Sequence, residues 1–198
     1  MHILLDMDGT ICDWNTWFDK HIDDLYPKIA DRLPRASSAR DFDLFKGLGV
    51  EEAAAVTHIF NHRGFYADIP PMEGALEAID RMYEAGHTVN FVTSPWYTNT
   101  TCMQDKADWI ARHLGEESLT DLIITKDKTT IRGDFLIDDK PHVTGKHRPD
   151  WTHILFDQPY NKLLGKPRIS NWDEWEQVIK DWQFDMILGA YDEEDYQR

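Results

Sequence analysis

Short apolar runs alternate with amphipathic segments along most of the chain. Runs of β-strand length, bounded by turn residues, lie at 2–5, 88–94, 121–125, 134–139 and 152–157. Apolar residues at helical spacing fill 73–85 and 103–114 and follow the capping pair at 170–171. Strands that alternate with helices in this way predict an α/β fold, a parallel sheet with helices on both faces.

A different pattern separates the first strand from the second. Apolar residues recur at helical spacing from Trp14 to Ile29, and Pro27 is expected to bend or end that helix. Residues 31–49 look irregular and 51–62 look helical. We therefore predict an α/β core formed by 1–13 and 72–198, with 14–71 as a small helical cap inserted after strand 1. The acidic end, 191–198, is expected to be solvated and frayed.

Composition and charge narrow the classes of function. The chain has 198 residues, of which 41% are hydrophobic, so it can bury one sizeable core. Its 36 acidic and 21 basic residues give a net charge of −15. This balance argues against long nucleic acid and anionic membrane surfaces as partners, since both need a basic footprint. A small phosphorylated ligand is still compatible with the charge.

The remaining global features predict a cytoplasmic protein. No basic segment precedes the first apolar run as in a signal peptide, and no apolar stretch approaches membrane-spanning length. Cys12 and Cys102 show no paired spacing and are expected to be free, buried thiols in a reducing compartment. The oligomeric state stays open, with a homodimer among the options.

Polar residues mark the carboxyl ends of four predicted strands. The sets are Asp6 with Asp8, Thr93 with Ser94, Lys126 with Lys128, and Asp138 with Asp139. Each set alone is an ordinary turn sequence. In a parallel sheet, however, all four ends lie on one edge. Carboxylates that hold Mg²⁺, hydroxyls that bind phosphate oxygens and a lysine that neutralises charge together indicate phosphate chemistry.

The chain resembles the 5′(3′)-deoxyribonucleotidases of the haloacid-dehalogenase-like (HAD) superfamily. The resemblance rests on the blocks DMDG at 6–9, TSP at 93–95, ADWIARHLG at 107–115, IITKDKT at 123–129, GDFLIDDK at 133–140 and WTHILF at 151–156. It is weak between 19 and 60, and Thr10 stands where the family has valine. The resemblance implies a HAD-like, Rossmann-like core and a phosphoric monoester hydrolase.

The resemblance also implies roles for individual residues. Asp6 would be the nucleophile that forms an aspartyl-phosphate, and Asp8 the general acid and base. The implied Mg²⁺ ligands are Asp6, the backbone carbonyl of Asp8, and Asp139, with Asp138 holding a metal-bound water; the order of the last two residues is left open. Thr93, Ser94 and Lys128 would bind the phosphate.

Aromatic residues near the predicted site are candidates for nucleoside binding. Trp14 corresponds to a family aromatic at the nucleobase site, and Phe65, Tyr66 and Trp96 are further candidates for this pocket. The expected substrate is a nucleoside monophosphate, with a preference for the deoxy sugar implied by the resemblance. Two alternatives stay open: a phosphatase for another small phosphomonoester such as a sugar phosphate, and a non-catalytic nucleotide-binding protein.

Overall fold

One parallel sheet organises residues 1–188, the part of the chain that the computed structural model describes. Within these residues its strands are β1 His2–Leu5, β2 Thr88–Thr93, β3 Leu122–Ile124, β4 Phe135–Asp138, β5 Thr152–Phe156 and β6 Arg168–Ile169. Their order across the sheet is β3-β2-β1-β4-β5-β6, and every neighbouring pair is parallel. This confirms the predicted α/β, Rossmann-like class. The predicted frayed end lies outside the described residues.

Strand β1 lies in the middle of the sheet because it is apolar on both faces. Ile3 and Leu5 point into the main core, which also takes buried side chains from the flanking helices. Leu4 points to the opposite face and packs with Leu136 and Trp151 in a smaller cluster. A strand covered on both sides reads as a continuous apolar run, which is why it was recognisable in the sequence.

The helices follow the predicted segments with shifted ends. They are α1 Trp14–Leu25, α2 Val50–Phe60, α3 Ala75–Glu84, α4 Cys102–Leu114 and α5 Trp175–Ile187. Helix α1 is capped by the Asp13 side chain and ends before Pro27, as predicted. No helix within residues 1–188 combines the length and the apolar character needed to cross a bilayer.

Several local predictions were wrong. Strand β6 was not predicted, because two residues are too few to show a period. Asn171 caps a short 3₁₀ turn, Trp172–Glu174, so the last helix begins only at Trp175. In α4, Met103 is 51% exposed, whereas Lys106 is fully buried. Helical spacing predicts a buried face that begins at Met103, whereas the face that is buried begins at Cys102 and carries the charged residue Lys106.

Candidate active site

The site lies where the strand order of the sheet reverses. Chain connections run from β1 toward β2 on one side and later toward β4 on the other, which leaves a crevice beyond the carboxyl ends of β1 and β4. Asp6 directly follows β1, and its amide donates to the Ile137 carbonyl at 2.9 Å. Asp138 ends β4, and Asp139 follows it. The topology thus brings the predicted carboxylates together.

A tight turn after β1 shapes one wall of this crevice. The amides of Thr10, Ile11 and Cys12 all donate to the Met7 carbonyl. Gly9 has a φ of +77°, and a Cβ at this position would lie 2.7 Å from the Asp139 Oδ2. Only glycine accommodates both the left-handed conformation and this close approach.

Three carboxylates form a buried cluster. Asp6, Asp138 and Asp139 each offer an oxygen, and these oxygens all lie within 4.8 Å of one another. Lys128 connects two of them, with its Nζ 2.7 Å from Asp6 Oδ1 and 2.5 Å from Asp138 Oδ2. The other Asp138 oxygen accepts from the Lys140 amide at 2.8 Å. Asp139 accepts a hydrogen bond from the Tyr160 hydroxyl.

The electrostatics of the cluster call for additional positive charge. Burial raises the pKa of Asp139 well above its usual range, and the charges of Asp138 and Asp6 raise it further. Burial also raises the pKa of Asp6, against the opposing effect of Lys128. For Lys128, burial alone would lower the pKa, but Asp138 and Asp6 outweigh it and raise the value. Buried oxygen donors with excess negative charge fit a hard divalent cation.

Asp8 has different surroundings from Asp6, although only one residue separates them. Its Oδ2 is 2.7 Å from the Lys106 Nζ, and burial raises its pKa while Lys106 lowers it. Lys106 also donates to Thr93 Oγ1 at 2.9 Å. The neighbouring Ser94 hydroxyl donates to the Thr125 carbonyl at 3.1 Å.

A cavity of about 620 Å³ opens over these groups. It is lined by every polar residue predicted to act in catalysis, metal binding or phosphate binding. These are Asp6, Asp8, Thr93, Ser94, Lys128, Asp138 and Asp139. Trp14, Tyr66 and Trp96 also line it, together with Phe42, Phe45 and Phe60. Residues of the 14–71 segment therefore share one cavity with the ends of β1 and β4.

Phe65 does not line this cavity, which removes the geometric support for its predicted contact with substrate. Its ring is 1% exposed and packs edge-on behind Trp14 and Tyr66, at centroid distances of 6.0 and 5.0 Å. The Phe65 carbonyl accepts from the Trp17 indole, which holds this turn against α1. The sequence shows that Phe65 and Tyr66 are adjacent aromatic residues, but it does not show that the Tyr66 ring is the one that lines the cavity.

Tyr160 and Lys106, whose side chains contact the carboxylates of the site, were not found from the sequence. Tyr160 follows β5, whose carboxyl end lies on the same edge as the other site residues; that position was the available signal. Lys106 lies inside α4, in a position that helical spacing alone assigns to an ordinary surface lysine. Its burial becomes visible only once the helix is placed against the sheet.

The chain also matches a family of known proteins along most of its length. The family model for "5′ nucleotidase, deoxy (Pyrimidine), cytosolic type C protein" matches residues 1–184. The chain belongs to the 5′(3′)-deoxyribonucleotidase family.

Relatives of this family cover nearly the whole chain. A provisionally named 5′(3′)-deoxyribonucleotidase of Bordetella bronchiseptica is 36% identical over 185 residues, covering 90% of this chain and 95% of the relative. The cytosolic 5′(3′)-deoxyribonucleotidase of Homo sapiens is 32% identical over 189 residues, covering 90% and 93%. As a member of the deoxyribonucleotidase family, the chain is a phosphoric monoester hydrolase.

Solved structures support the fold of this deoxyribonucleotidase family member. A HAD family hydrolase from Deinococcus radiodurans, solved with phosphate and sodium, aligns with a TM-score of 0.54 at 14% identity. The alignment covers 91% of this chain and 95% of that one. At this identity the likeness establishes the HAD-like fold alone.

Proposed function

We propose that the protein is a Mg²⁺-dependent nucleotidase that hydrolyses nucleoside monophosphates, preferring deoxyribonucleotides, through an aspartyl-phosphate. The observation that carries the proposal is the separation of Asp6 and Asp8 into two environments at one cavity. Asp6 lies in the carboxylate cluster beside Lys128, and Asp8 lies against Lys106. One carboxylate is thereby available as nucleophile and the other as acid and base.

The proposed reaction proceeds in two displacements. An Asp6 oxygen attacks phosphorus while the ester bond breaks, and the departing oxygen keeps the bonding pair and takes a proton from Asp8. Asp8 then removes a proton from water, which attacks the phosphorus and releases Asp6 and inorganic phosphate. Lys128 and Thr93 line the cavity, and their donors would bind the phosphoryl oxygens.

The buried carboxylate cluster fits a Mg²⁺ ion. When bound, the ion would neutralise the negative charge on the phosphoryl oxygens. Asp6, Asp139 and the backbone carbonyl of Asp8 would hold it. Both Asp138 oxygens already accept hydrogen bonds, from Lys128 and from the Lys140 amide. These hydrogen bonds favour Asp139 as the direct ligand of the ion, with Asp138 outside the first set of ligands.

The aromatic wall favours a nucleoside monophosphate over a sugar phosphate. Phe45 and Trp96 face each other with nearly parallel rings, 4° apart in tilt, and Phe42 packs edge-on against Tyr160. Such surfaces suit a planar base, whereas a sugar phosphate would leave them exposed to water. We further propose that 14–71 acts as the cap and supplies this selectivity.

A panel of phosphomonoesters tests the proposal. Phosphate release is measured with Mg²⁺ for deoxyribonucleoside 5′- and 3′-monophosphates, their ribonucleotide counterparts and several sugar phosphates. An apolar wall that leaves a 2′-hydroxyl unpaired costs about 1–3 kcal/mol, so kcat/KM for dUMP should exceed that for UMP by roughly ten- to a hundred-fold.

Two results of the panel would count against the proposal. Equal values for dUMP and UMP would remove the deoxy preference and leave the nucleotidase. Preferential turnover of a sugar phosphate would replace the proposed substrate class.

A further inference from the structure

A fully buried lysine touches the site from outside all of its motifs. Lys106 lies in the first half of α4, and its side chain is 0% exposed. Its Nζ contacts Asp8 Oδ2 at 2.7 Å and Thr93 Oγ1 at 2.9 Å. The Tyr66 ring lies over the same ammonium, with its centroid 5.2 Å away.

Helix α4 holds this ammonium in one place. Its inward face buries Cys102, Trp109 and Ile110, and the Trp109 indole donates to the Ile69 carbonyl at 2.7 Å. A buried charge of this kind is tolerated only when its partners are well placed. The helix therefore fixes the position of Nζ relative to both Asp8 and Thr93.

The two oxygens of Asp8 are in different situations. Oδ2 accepts from Lys106, whereas Oδ1 is buried and has no hydrogen-bond partner within the described residues. A general acid needs one oxygen that can reach the departing group. The Asp8 side chain is 26% exposed, and because Oδ1 is buried, Oδ2 is the oxygen that can reach the cavity. Lys106 occupies one of the two lone pairs of Oδ2. It thereby fixes the direction in which the other lone pair meets the departing group and, later, water.

The same lysine also orients the hydroxyl group of Thr93. A hydroxyl has one hydrogen and two lone pairs, and the ammonium, which has only donors, occupies one lone pair of Oγ1. The hydroxyl hydrogen is then available to an acceptor in the cavity, such as a phosphoryl oxygen.

We propose that Lys106 is a positioning residue for phosphoryl transfer, orienting Asp8 as acid and base and Thr93 as a donor. This inference rests on the proposed two-displacement mechanism. Lys106 keeps its own protons throughout and forms no bond to phosphorus. The proton on the departing oxygen comes from Asp8, which takes one back from water in the second displacement.

Comparison of leaving groups separates positioning from simple structural support. Lys106→Met keeps the length of the side chain but removes the charge and the donors. A nucleoside alkoxide needs the proton of Asp8, whereas p-nitrophenolate departs without one. General acid catalysis contributes about 10²- to 10⁴-fold, so kcat for dUMP should fall about a hundred-fold. Single-turnover release of p-nitrophenolate should fall less than about ten-fold, because this leaving group does not need general acid catalysis.

Ile110→Ala is the matched control, since it removes a buried side chain from the same helix without touching Asp8 or Thr93. It should lower the melting temperature and reduce turnover of both substrates by the same factor. Lys106→Gln keeps an amide donor and should fall between wild type and Lys106→Met in the ratio of the two rates. The same ratio is read from Lys106→Gln if Lys106→Met does not fold.

Equal losses on dUMP and p-nitrophenyl phosphate, as in Ile110→Ala, would overturn the positioning role. Failure of the proposed substrate class looks different. There the wild type itself would turn over another alkyl phosphate in preference to dUMP. That alkyl phosphate then replaces dUMP in the comparison, which still decides the role of Lys106.

Discussion

At the scale of single residues, Asp6 and Asp8 have identical side chains but different neighbours. Asp6 shares Lys128 with Asp138, while Asp8 pairs with Lys106, which also donates to the Thr93 hydroxyl. The two lysines come from different elements, a 3₁₀ turn after β3 and helix α4. Two carboxylates in one tight turn can therefore differ in charge, partners and access to the cavity.

The nucleophile is tested by Asp6→Asn, which preserves size but not nucleophilicity. We expect turnover of dUMP to fall below about one hundredth of wild type, because loss of a covalent nucleophile normally costs far more. Circular dichroism should show an unchanged fold. Asp24→Asn, on the exposed side of α1, serves as the control and should keep full activity. Substantial residual turnover by Asp6→Asn would refute the assignment.

His153 gives a prediction for acid stability. Burial, assisted by the nearby Lys166 ammonium, lowers the pKa of this imidazole from 6.5 to about 3. The unfolded chain therefore binds a proton that the folded chain does not, and the stability contributed by neutral His153 is lost as the pH falls from 6.5 toward 3.

Urea unfolding of wild type and His153→Gln across this range measures the effect. The difference in unfolding free energy between the two proteins should change in favour of the variant as the pH falls. A difference that is constant with pH would show that folding does not lower the pKa of His153.

At the scale of elements, the sequence predicted the strands and helices that have a continuous apolar pattern. It did not predict very short elements or the way in which a helix is oriented against the sheet. The core strands were recognisable because parallel strands buried on both faces are apolar throughout. Strand β6 has only two residues and gives no such signal. The exposure of Met103 and burial of Lys106 depend on how α4 rotates against the sheet, which the periodicity of a mixed helix face does not fix.

The same limit applies to the site. Asp6, Asp8 and Asp139 could be placed together because strand order and strand ends determine their positions. Two features depend on loop conformations, which follow no sequence period. One is the packing of Phe65 behind Tyr66, away from the cavity, and the other is the approach of Tyr160 to Asp139.

The 14–71 segment is tested through Phe45, which lines the cavity opposite Trp96. Stacking of a base on an aromatic ring is worth about 1–3 kcal/mol, so Phe45→Ala should raise KM for dUMP by roughly ten- to a hundred-fold. Hydrolysis of methyl phosphate, which has no base, should change little. Phe184→Ala on α5, where the ring is 61% exposed, is the control. Equal effects on both substrates would remove the base-binding role of this wall.

At the scale of the whole molecule, a strongly acidic chain concentrates positive side chains at one cavity. Lys126, Lys128 and Lys140 line it, although the net charge of the chain is −15. The carboxylate cluster next to them still carries excess negative charge, which is why the proposed function includes a cation. Cytoplasmic location stays a prediction, and the oligomeric state stays open.

Metal binding is expected to stabilise the whole fold. A ligand that binds only the folded state at a hundred times its Kd adds about 2.7 kcal/mol, so Mg²⁺ should raise the melting temperature and excess chelator should reverse the rise. Asp139→Asn should abolish the shift, and Ca²⁺ should support little turnover because it prefers looser coordination. Full activity in excess chelator, with an unchanged melting temperature, would exclude the proposed cation.

The amide of Asp6 extends the hydrogen-bond ladder between β1 and β4 into the site. The nucleophile is thus anchored to the middle of the sheet, and its N–H can meet solvent deuterium only when the sheet opens. We expect this amide to exchange among the slowest in the protein, with an opening free energy equal to that of global unfolding. Loss of catalysis on heating should then coincide with loss of the fold, without an earlier phase in which the site alone melts.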